Sequence, residues 1–327
     1  MCIENAIYEI LFSQSMERMS HVKQTNKLFA HYTSADTALK IIQKEEMWMR
    51  NVSDMNDFSE IILGQRSLIE TLKEKQISDT FDAVITELSS NKCSFSDIVS
   101  YIENMSDIRE QLYISCFSEH RKDDLLGRLS MWRAYAPQNG VALLINASIL
   151  DTKPIDNVLF WTAPVQYLHP ENLSELRTNL LQIAQRLLNT VKGQKNNIEI
   201  CDFLCSTLIG YFYVSSASIK HIGFSEEEEW RVLFSTKSQS SEMKDILVKS
   251  IENIVGLPQT IYKICLKNLY ANELDDIVLV QKLLKKVIIG PSKNPKLIQE
   301  AFCDTLRDKG VLEPEKMVVI SDIPVRL

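Results

Sequence analysis

Glycine and proline are scarce in this chain, and this scarcity restricts its fold more than any other feature. The 327 residues include 9 Gly and 9 Pro, whereas glycine alone usually supplies about 7% of a globular protein. Many-stranded barrels and sandwiches need frequent turns, and turns depend on these two residues. The sequence therefore favours long helices combined with a limited number of strands.

Charge and cysteine content restrict the partners and the compartment. With 36 basic and 43 acidic residues the net charge is -7, so we expect no broad basic face along a nucleic acid, although a local basic groove stays open. Seven cysteines without framework spacing are typical of a reduced intracellular protein. Short apolar runs and an N-terminus unlike a signal peptide predict a cytoplasmic protein without membrane contact.

Hydrophobic periodicity predicts helices alternating with strands. Strands are predicted at 27–33, 47–50, 112–118, 141–146, once or twice within 158–168, and at 229–235, 260–266, 287–291 and 317–320. Helices are predicted at 35–44, from 58, through 132–135 and at 295–309. The segments 58–106 and 171–219 are interpreted as helical insertions. We therefore predict a single α+β domain over residues 1–327 that carries these insertions.

The most informative motif is the acidic segment Phe224-Ser-Glu-Glu-Glu-Glu-Trp-Arg-Val-Leu-Phe234. A run of four carboxylates is ordinarily a solvated loop tip. From Trp230 onward, however, apolar and polar residues alternate as in a strand, which places Glu227, Glu229 and Arg231 on one face. Two carboxylates beside an arginine at the mouth of a strand predict a catalytic or metal-binding array.

Two earlier motifs also carry chemically useful side chains. His31-Tyr-Thr33 ends the first predicted strand, directly before a helix capped by Ser34, where backbone donors could hold an anion or a ribose. Ser118 ends the strand at 112–118, and Trp132 and Tyr135 follow at helical spacing. Taken singly, the histidine is ordinarily a structural residue and the aromatics are ordinarily core.

In chain order, the three motifs resemble the ADP-ribosyltransferase superfamily, in which His or Arg comes first, Ser or Tyr second and the catalytic Glu last. The resemblance implies an α+β fold with an ADP-ribosyltransferase-like split β-sheet whose cleft holds NAD. It implies transfer of ADP-ribose from NAD to a protein, RNA or DNA, with release of nicotinamide. It further implies a bacterial toxin or defence effector, with an antitoxin or a chaperone as protein partner.

The resemblance assigns residues to the NAD donor. His31 binds the adenosine ribose and helps to hold the nicotinamide end, the backbone of Tyr32 pairs with the carboxamide, and Thr33 steadies the strand end. Tyr135, or alternatively Trp132, stacks on the nicotinamide ring, because a flat heterocycle needs an aromatic face. Tyr32 departs from the poly(ADP-ribose) polymerase pattern, which has glycine at this position.

The resemblance also assigns the reacting groups. Glu229 is the catalytic carboxylate, which accepts a hydrogen bond from the 2′-hydroxyl of the nicotinamide ribose as the glycosidic carbon becomes oxocarbenium-like. Ser118 supports that carboxylate. Glu227 faces the incoming acceptor and takes its proton.

A second resemblance covers nearly the whole chain, to a large bacterial family of unknown function. Its pattern is found in His31-Tyr-Thr-Ser34, Met55-Asn-Asp57 with Glu60, Cys116-Phe-Ser118, Trp132-Arg-Ala-Tyr135 with Gly140, Phe224 with Glu227-Glu-Glu-Trp-Arg231, Ile288-Ile-Gly-Pro291 and Ser321-Asp-Ile-Pro324. Asn56, Asp57 and Glu60 have no transferase counterpart. We expect Asp57 to cap the next helix; the alternatives are support of the site residues from behind or a wall of the acceptor site.

Two other functions stay open. A non-catalytic sensor or interaction module of a defence system would hold NAD or another nucleotide without turnover. A metal-dependent nuclease would hold Mg²⁺ through Glu227, Glu229 and either Asp57 or Glu60, although Arg231 cannot serve as a base. We expect no structural zinc, because the cysteines at 201 and 205 lack a second pair in register.

Overall fold

The computed structural model describes residues 2–55, 58–89, 93–104, 111–136, 138–150, 160–236, 246–254, 256–269 and 279–324. The chain forms two compact units. The first contains Met1–Arg18, Met55–Glu110 and Ala163–Glu226, and the second contains Met19–Asp54, Gln111–Thr162 and Glu227–Leu327. Helices and a large sheet together confirm the predicted α+β class.

The described helices, in chain order, are α1 (Ile3–Leu11), α2 (Ser13–Gln24), α3 (Ala35–Lys44), α4 (Phe58–Leu72), α5 (Lys75–Leu88), α6 (Phe95–Glu103), α7 (Leu129–Tyr135), α8 (Ser174–Val191), α9 (Ile198–Ser216), α10 (Leu266–Leu269) and α11 (Pro295–Asp308). The described strands are β1 (Leu28–Ser34), β2 (Glu46–Asn51), β3 (Leu112–His120), β4 (Gly140–Ile145), β5 (Phe160–Pro164), β6 (Gln166–Leu168), β7 (Ile219–His221), β8 (Glu229–Ser235), β9 (Leu247–Ile254), β10 (Leu257–Cys265), β11 (Leu284–Ile289) and β12 (Val318–Ile320).

The first unit is mainly helical, and both segments predicted as helical insertions lie within it. Helices α1, α4, α5, α6, α8 and α9 contribute apolar stripes to one core. At its centre the rings of Phe81 and Phe95 stack with centroids 4.6 Å apart. Helices α4 and α9 approach closely, because a Cβ at Gly64 would lie 2.2 Å from the Ser216 carbonyl oxygen. The interpretation of residues 1–327 as one domain stays a prediction.

Within the described residues, α9 is long and apolar enough to span a membrane by length and composition. A single helix of this kind is weak evidence, because a helix in the core of a globular protein passes the same test. Leu204, Leu208 and Phe212 of α9 are fully buried in the core of the first unit. That packing accounts for the apolar sequence.

The second unit is built on a ten-stranded sheet with the order β12-β11-β4-β1-β3-β2-β10-β9, from which β8 pairs with β3 and β5 pairs with β8. Strand β8 follows one edge of β3 from Leu112 to Ser118. The other edge is shared, because β1 pairs with residues 118–120 and β2 with residues 113–114. Strands β1 and β2 therefore separate along β3, and the sheet is split there.

The two faces of this sheet are packed differently. One face carries Phe29, Phe117 and Trp230, which belong to a large core that also includes residues of α3 and α11. The opposite face carries Ala30 and Tyr32, which pack against side chains of α7. Successive side chains of a strand point to opposite faces of the sheet, and in β1 and β3 both sets contain buried side chains. The sheet is therefore buried on both sides at these two strands.

Several local predictions are confirmed and others are corrected. The Ser34 hydroxyl caps α3 by accepting the Thr37 N–H at 3.2 Å, as its position before an apolar stripe predicts. The segment 158–168 contributes two strands, β5 and β6. Helices α1 and α2, and strand β9, were not predicted. The expected cap at Asp57 lies outside the described residues, as does Asn56.

Candidate functional site

Three strands bring the predicted catalytic segments side by side in the second unit. Ser118 of β3 lies directly opposite Glu229 of β8. On the other edge of β3, Ser118 lies opposite Ala30 of β1, the residue before His31. Segments that are 87 and 111 residues apart in sequence, counted from the residue numbers 31, 118 and 229, thus occupy adjacent strands.

His31 lies where β1 leaves β3. Among the described strands, none pairs with residues 115–117 on this edge of β3, and the Cys116 carbonyl instead lies 2.9 Å from His31 Nδ1. Because a carbonyl only accepts, Nδ1 carries the proton and Nε2 is the unprotonated nitrogen of the neutral ring. Burial lowers the pKa of His31, and the bond to Cys116 opposes this only in part.

Strand alternation separates His31 from Glu229. Ala30, Ser118 and Glu229 share one face of the sheet, so His31, one residue beyond Ala30, belongs to the other face. Its ring lies 5.5 Å from that of Phe117, which is on that other face. The structure therefore brings the two predicted residues to adjacent strands but not onto one surface of the sheet.

The Glu229 carboxylate is held by Arg231. Arg231 Nε donates to Glu229 Oε1 at 2.8 Å, and a terminal nitrogen donates to Oε2 at 3.3 Å. Glu229 is 2% exposed and Arg231 is 0% exposed. The expected i, i+2 neighbourhood of these two side chains is confirmed, and the carboxylate is a charged group fixed by a two-point contact.

Glu227 corrects the expectation that three charged residues alternate along one strand. Strand β8 begins at Glu229, and Glu227 ends the preceding 3₁₀ turn at Ile222–Glu227. Glu228, between them, has a φ of 44°, which is the left-handed region that few non-glycine residues adopt. Glu227 therefore lies outside the strand register, separated from β8 by one left-handed residue.

Arg128, which the sequence analysis did not identify, links the backbone at Glu227 and Glu228 to β3. Its guanidinium donates to the backbone carbonyls of Glu227 and Glu119, each at 2.7 Å, and pairs with the Glu228 carboxylate. The Ser118 hydroxyl also donates to the Glu227 carbonyl. Ser118 therefore supports the backbone before Glu229, where the resemblance implied support of the Glu229 carboxylate itself.

Tyr135 is the predicted aromatic that reaches the acidic residues. Its hydroxyl donates to the Glu227 carboxylate, whose two oxygens lie 3.4 and 3.5 Å away. Glu227 is buried, and Tyr135 is only partly buried. The ring at the end of α7 is thus beside the carboxylate that the resemblance assigns to proton transfer.

Trp132, the alternative stacking residue, is buried in the hydrophobic core. Its indole N–H donates to the Leu126 carbonyl at 3.0 Å, and its ring packs edge-on against Tyr32 at 4.8 Å. Gly127 and Gly290 lie against the same ring, because a Cβ at either position would approach it to 2.7 Å. Trp132 is therefore enclosed, with no ring face left for a ligand.

Tyr32 and Thr33 are positioned by strand pairing. In the β1–β4 register, Tyr32 lies opposite Ala142 and Thr33 opposite Val141. The Tyr32 hydroxyl accepts the backbone N–H of Arg128 at 3.0 Å, and burial raises the pKa of Tyr32 to about 12. The Tyr32 side chain is structural, which leaves its backbone as the group that could contact a ligand.

Two further carboxylates have partners of their own. In the second unit, Glu119 accepts from Trp230 Nε1 at 2.9 Å and pairs with Lys27 at 2.7 Å. In the first unit, Glu60 lies 3.3 Å from Nζ of Lys220, which is fully buried. Sequence reasoning left Glu60 without a role and missed Lys220, because a single lysine in an apolar segment gives no pattern.

Two observations on the described residues bear on ligand binding here, namely the lack of a metal-binding group and a small cavity beside β3. In the part of the chain that the structure describes, no three His, Cys, Asp or Glu side chains form a group that could hold a metal ion, and the nuclease hypothesis stays a prediction. A cavity of about 20 Å³ lies on the Phe117 face, lined by Ser115, Thr162 and apolar side chains. A volume of this size is far smaller than a nucleotide site.

A family profile matches part of the chain, a shorter span than the nearly whole-chain resemblance expected from the sequence. The profile of a family described as "Protein of unknown function (DUF2971)" matches residues 131–232. This segment includes Tyr135, Glu227, Glu229 and Arg231 but not His31. No curated protein matched the sequence, and no solved structure matched it.

Proposed function

We propose that the second unit is an NAD-dependent ADP-ribosyltransferase. The observation that carries the proposal is the adjacency of β1, β3 and β8, in which Ser118 lies opposite Glu229 on one edge and opposite Ala30, next to His31, on the other. The split of the sheet along β3 is the second support. Both agree with the motif order on which the resemblance rests.

In the proposed reaction, NAD is a substrate. The bond between the nicotinamide nitrogen and ribose C1′ breaks, nicotinamide leaves with the bonding electrons, and C1′ becomes oxocarbenium-like. Glu229 stabilises this charge through the ribose 2′-hydroxyl, and Arg231 holds the carboxylate in place. A nucleophile of the acceptor then bonds to C1′, and its proton passes to Glu227.

The remaining residues would position the donor. The neutral His31 ring offers Nε2 as a hydrogen-bond acceptor for a ribose hydroxyl, since Nδ1 donates to Cys116. The Tyr135 ring, partly buried beside Glu227, is the aromatic surface for nicotinamide. His31 and Glu229 belong to opposite faces of the sheet, so one NAD molecule contacts both only if it spans the point where β1 and β2 separate along β3.

The experiment is nicotinamide release from NAD labelled in the nicotinamide ring, comparing the wild type with Glu229→Gln. We expect the substitution to reduce release by about 10²–10³-fold, the usual effect of removing one transition-state contact. Glu119→Gln is the matched control, because Glu119 is equally buried and paired but contacts Lys27 and Trp230. Equal release by wild type and Glu229→Gln, with both folded, contradicts the proposal.

A second candidate is a nucleotide-binding module without turnover. The observation that favours it is the buried pair of Glu229 and Arg231, which neutralises the carboxylate that catalysis would use. Calorimetric titration with NAD, followed by chromatography of the recovered ligand, separates the candidates. Binding with intact NAD supports the module, whereas free nicotinamide supports the transferase.

We further propose a macromolecular acceptor and a cytoplasmic setting. The net charge of -7 favours a protein acceptor over RNA or DNA, because phosphate backbones attract basic surfaces. The role of a toxin or defence effector, and an antitoxin or a chaperone as partner, follow from the resemblance to bacterial members of the superfamily.

A further inference from the structure

Two thiols are in contact in the first unit. All seven cysteines are free, and the Sγ atoms of Cys93 and Cys205 are 3.7 Å apart, with Cys205 as hydrogen-bond donor. They are 112 residues apart in sequence. Cys93 lies in the coil before α6, and Cys205 lies within α9. Both are partly exposed.

The two sulfurs are close enough for a small movement to join them. A disulfide holds its sulfurs about 2.0 Å apart, so these two need to approach by about 1.7 Å. Cys93 precedes Ser94, the residue that caps α6, and it lies outside any regular element, so a side-chain rotation with a small shift of this coil can bring them together. Cys201, one helical turn before Cys205, is buried on the same helix.

We propose that Cys93 and Cys205 are a reversible oxidation site, which a peroxide or a low-molecular-weight disulfide converts into a disulfide bond. With a peroxide, the Cys93 sulfur attacks an oxygen, the O–O bond breaks, and Cys93 becomes a sulfenic acid while one water is formed. The Cys205 sulfur then bonds to Cys93 Sγ, and the sulfenic oxygen leaves as a second water with the Cys205 proton. Two thiols lose two electrons, and one peroxide gains them. With a low-molecular-weight disulfide, Cys93 Sγ bonds to one of its sulfurs, the S–S bond breaks, and the other half leaves as a thiol with the Cys93 proton. Cys205 Sγ then bonds to Cys93 Sγ and displaces the second thiol, which takes the Cys205 proton, so the oxidant gains two electrons.

The surroundings assign these two roles. Burial raises the pKa of the Cys205 thiol, and its Cys93 and Cys201 neighbours raise it further. Cys205 therefore keeps its proton at neutral pH and is a poor first nucleophile. Cys93 donates its own S–H to the Ser94 carbonyl at 3.4 Å, which holds its sulfur beside Cys205. We assign the first oxidation to Cys93, because its sulfur is the one that accepts the Cys205 S–H, at 3.7 Å.

The full-length protein tests this directly. It is treated with hydrogen peroxide or, separately, with glutathione disulfide, alkylated, digested without reductant and analysed by mass spectrometry. We expect a linked peptide that joins Cys93 to Cys205, with both residues protected from alkylation to the same extent. Dithiothreitol should restore alkylation of both.

Variants separate this pair from its neighbours. Cys93→Ser should abolish the linked peptide and leave Cys205 alkylated, and it changes only a partly exposed residue outside the helices. Cys201→Ser should keep the Cys93–Cys205 link. No linked peptide under conditions that oxidise the exposed thiol of Cys2 overturns the proposal, as does a link from Cys205 to Cys201. None of these outcomes depends on NAD.

Discussion

Removing Arg231 should take two hydrogen bonds from a charged donor away from the buried Glu229 carboxylate. Arg231 and Glu229 are joined by bonds of 2.8 and 3.3 Å, and neither is more than 2% exposed. Each hydrogen bond to a charged group contributes about 1.5–3 kcal/mol, and breaking a buried pair lowers the free energy of unfolding by about 3–5 kcal/mol. We therefore expect Arg231→Met to lower the free energy of unfolding of the second unit by that amount.

The assay is urea denaturation followed by tryptophan fluorescence. All four tryptophans, at positions 48, 132, 161 and 230, lie in the second unit, so the signal follows that unit. The double variant Arg231→Met with Glu229→Leu should recover most of the loss, because it removes both charges. A loss below about 1 kcal/mol for Arg231→Met alone, or a double variant as unstable as the single one, would refute the reasoning.

Three further predictions concern single positions. Because burial lowers the pKa of His31, the unfolded chain takes up the proton first as pH falls. The free energy of unfolding should therefore decrease below about pH 6.5. In urea titrations at pH 7.5 and 5.5, His31→Gln should show a smaller difference in the free energy of unfolding between the two pH values than the wild type. An equal difference in both proteins contradicts this. Gly64→Ala should destabilise the first unit by about 1–3 kcal/mol, because the added Cβ would collide with a carbonyl of α9. Thermal or urea unfolding followed by circular dichroism measures this change. The control Ser59→Ala, exposed on the same helix, should change the free energy of unfolding by less than about 0.5 kcal/mol. Arg128→Met should reduce the fluorescence-monitored stability by about 2–3 kcal/mol, because two backbone carbonyls lose a charged donor; an unaffected variant would remove Arg128 from its bracing role.

The strands that build the site could be predicted because their sequences alternate strongly. In β8, the apolar side chains of Trp230 and Phe234 are buried against one core, and the same period places Glu229 beside Arg231. The helix after β1 could be predicted from Ser34 and the apolar stripe behind it. These signals are local, so a single sequence contains them.

Other features depend on contacts that no local pattern encodes. Helix α2 buries few apolar residues, among them Met19 and Val22, so it lacks a clear stripe. Strand β9 alternates exposed and partly exposed residues, as an edge strand does. Arg128 binds backbone carbonyls, which are present at every residue and give no sequence signal. The displacement of Glu227 follows from one left-handed residue, Glu228.

The account depends most on the transfer of ADP-ribose by the second unit. The direct measurement incubates cell lysate with NAD labelled in the adenine moiety and the full-length protein, followed by separation of the macromolecules and mass spectrometry of the labelled fraction. The account predicts covalent ADP-ribose on protein or nucleic acid with the wild type and with Glu119→Gln, and at least about 100-fold less with Glu229→Gln. Label that is absent with the wild type, or equal with Glu229→Gln, would contradict it.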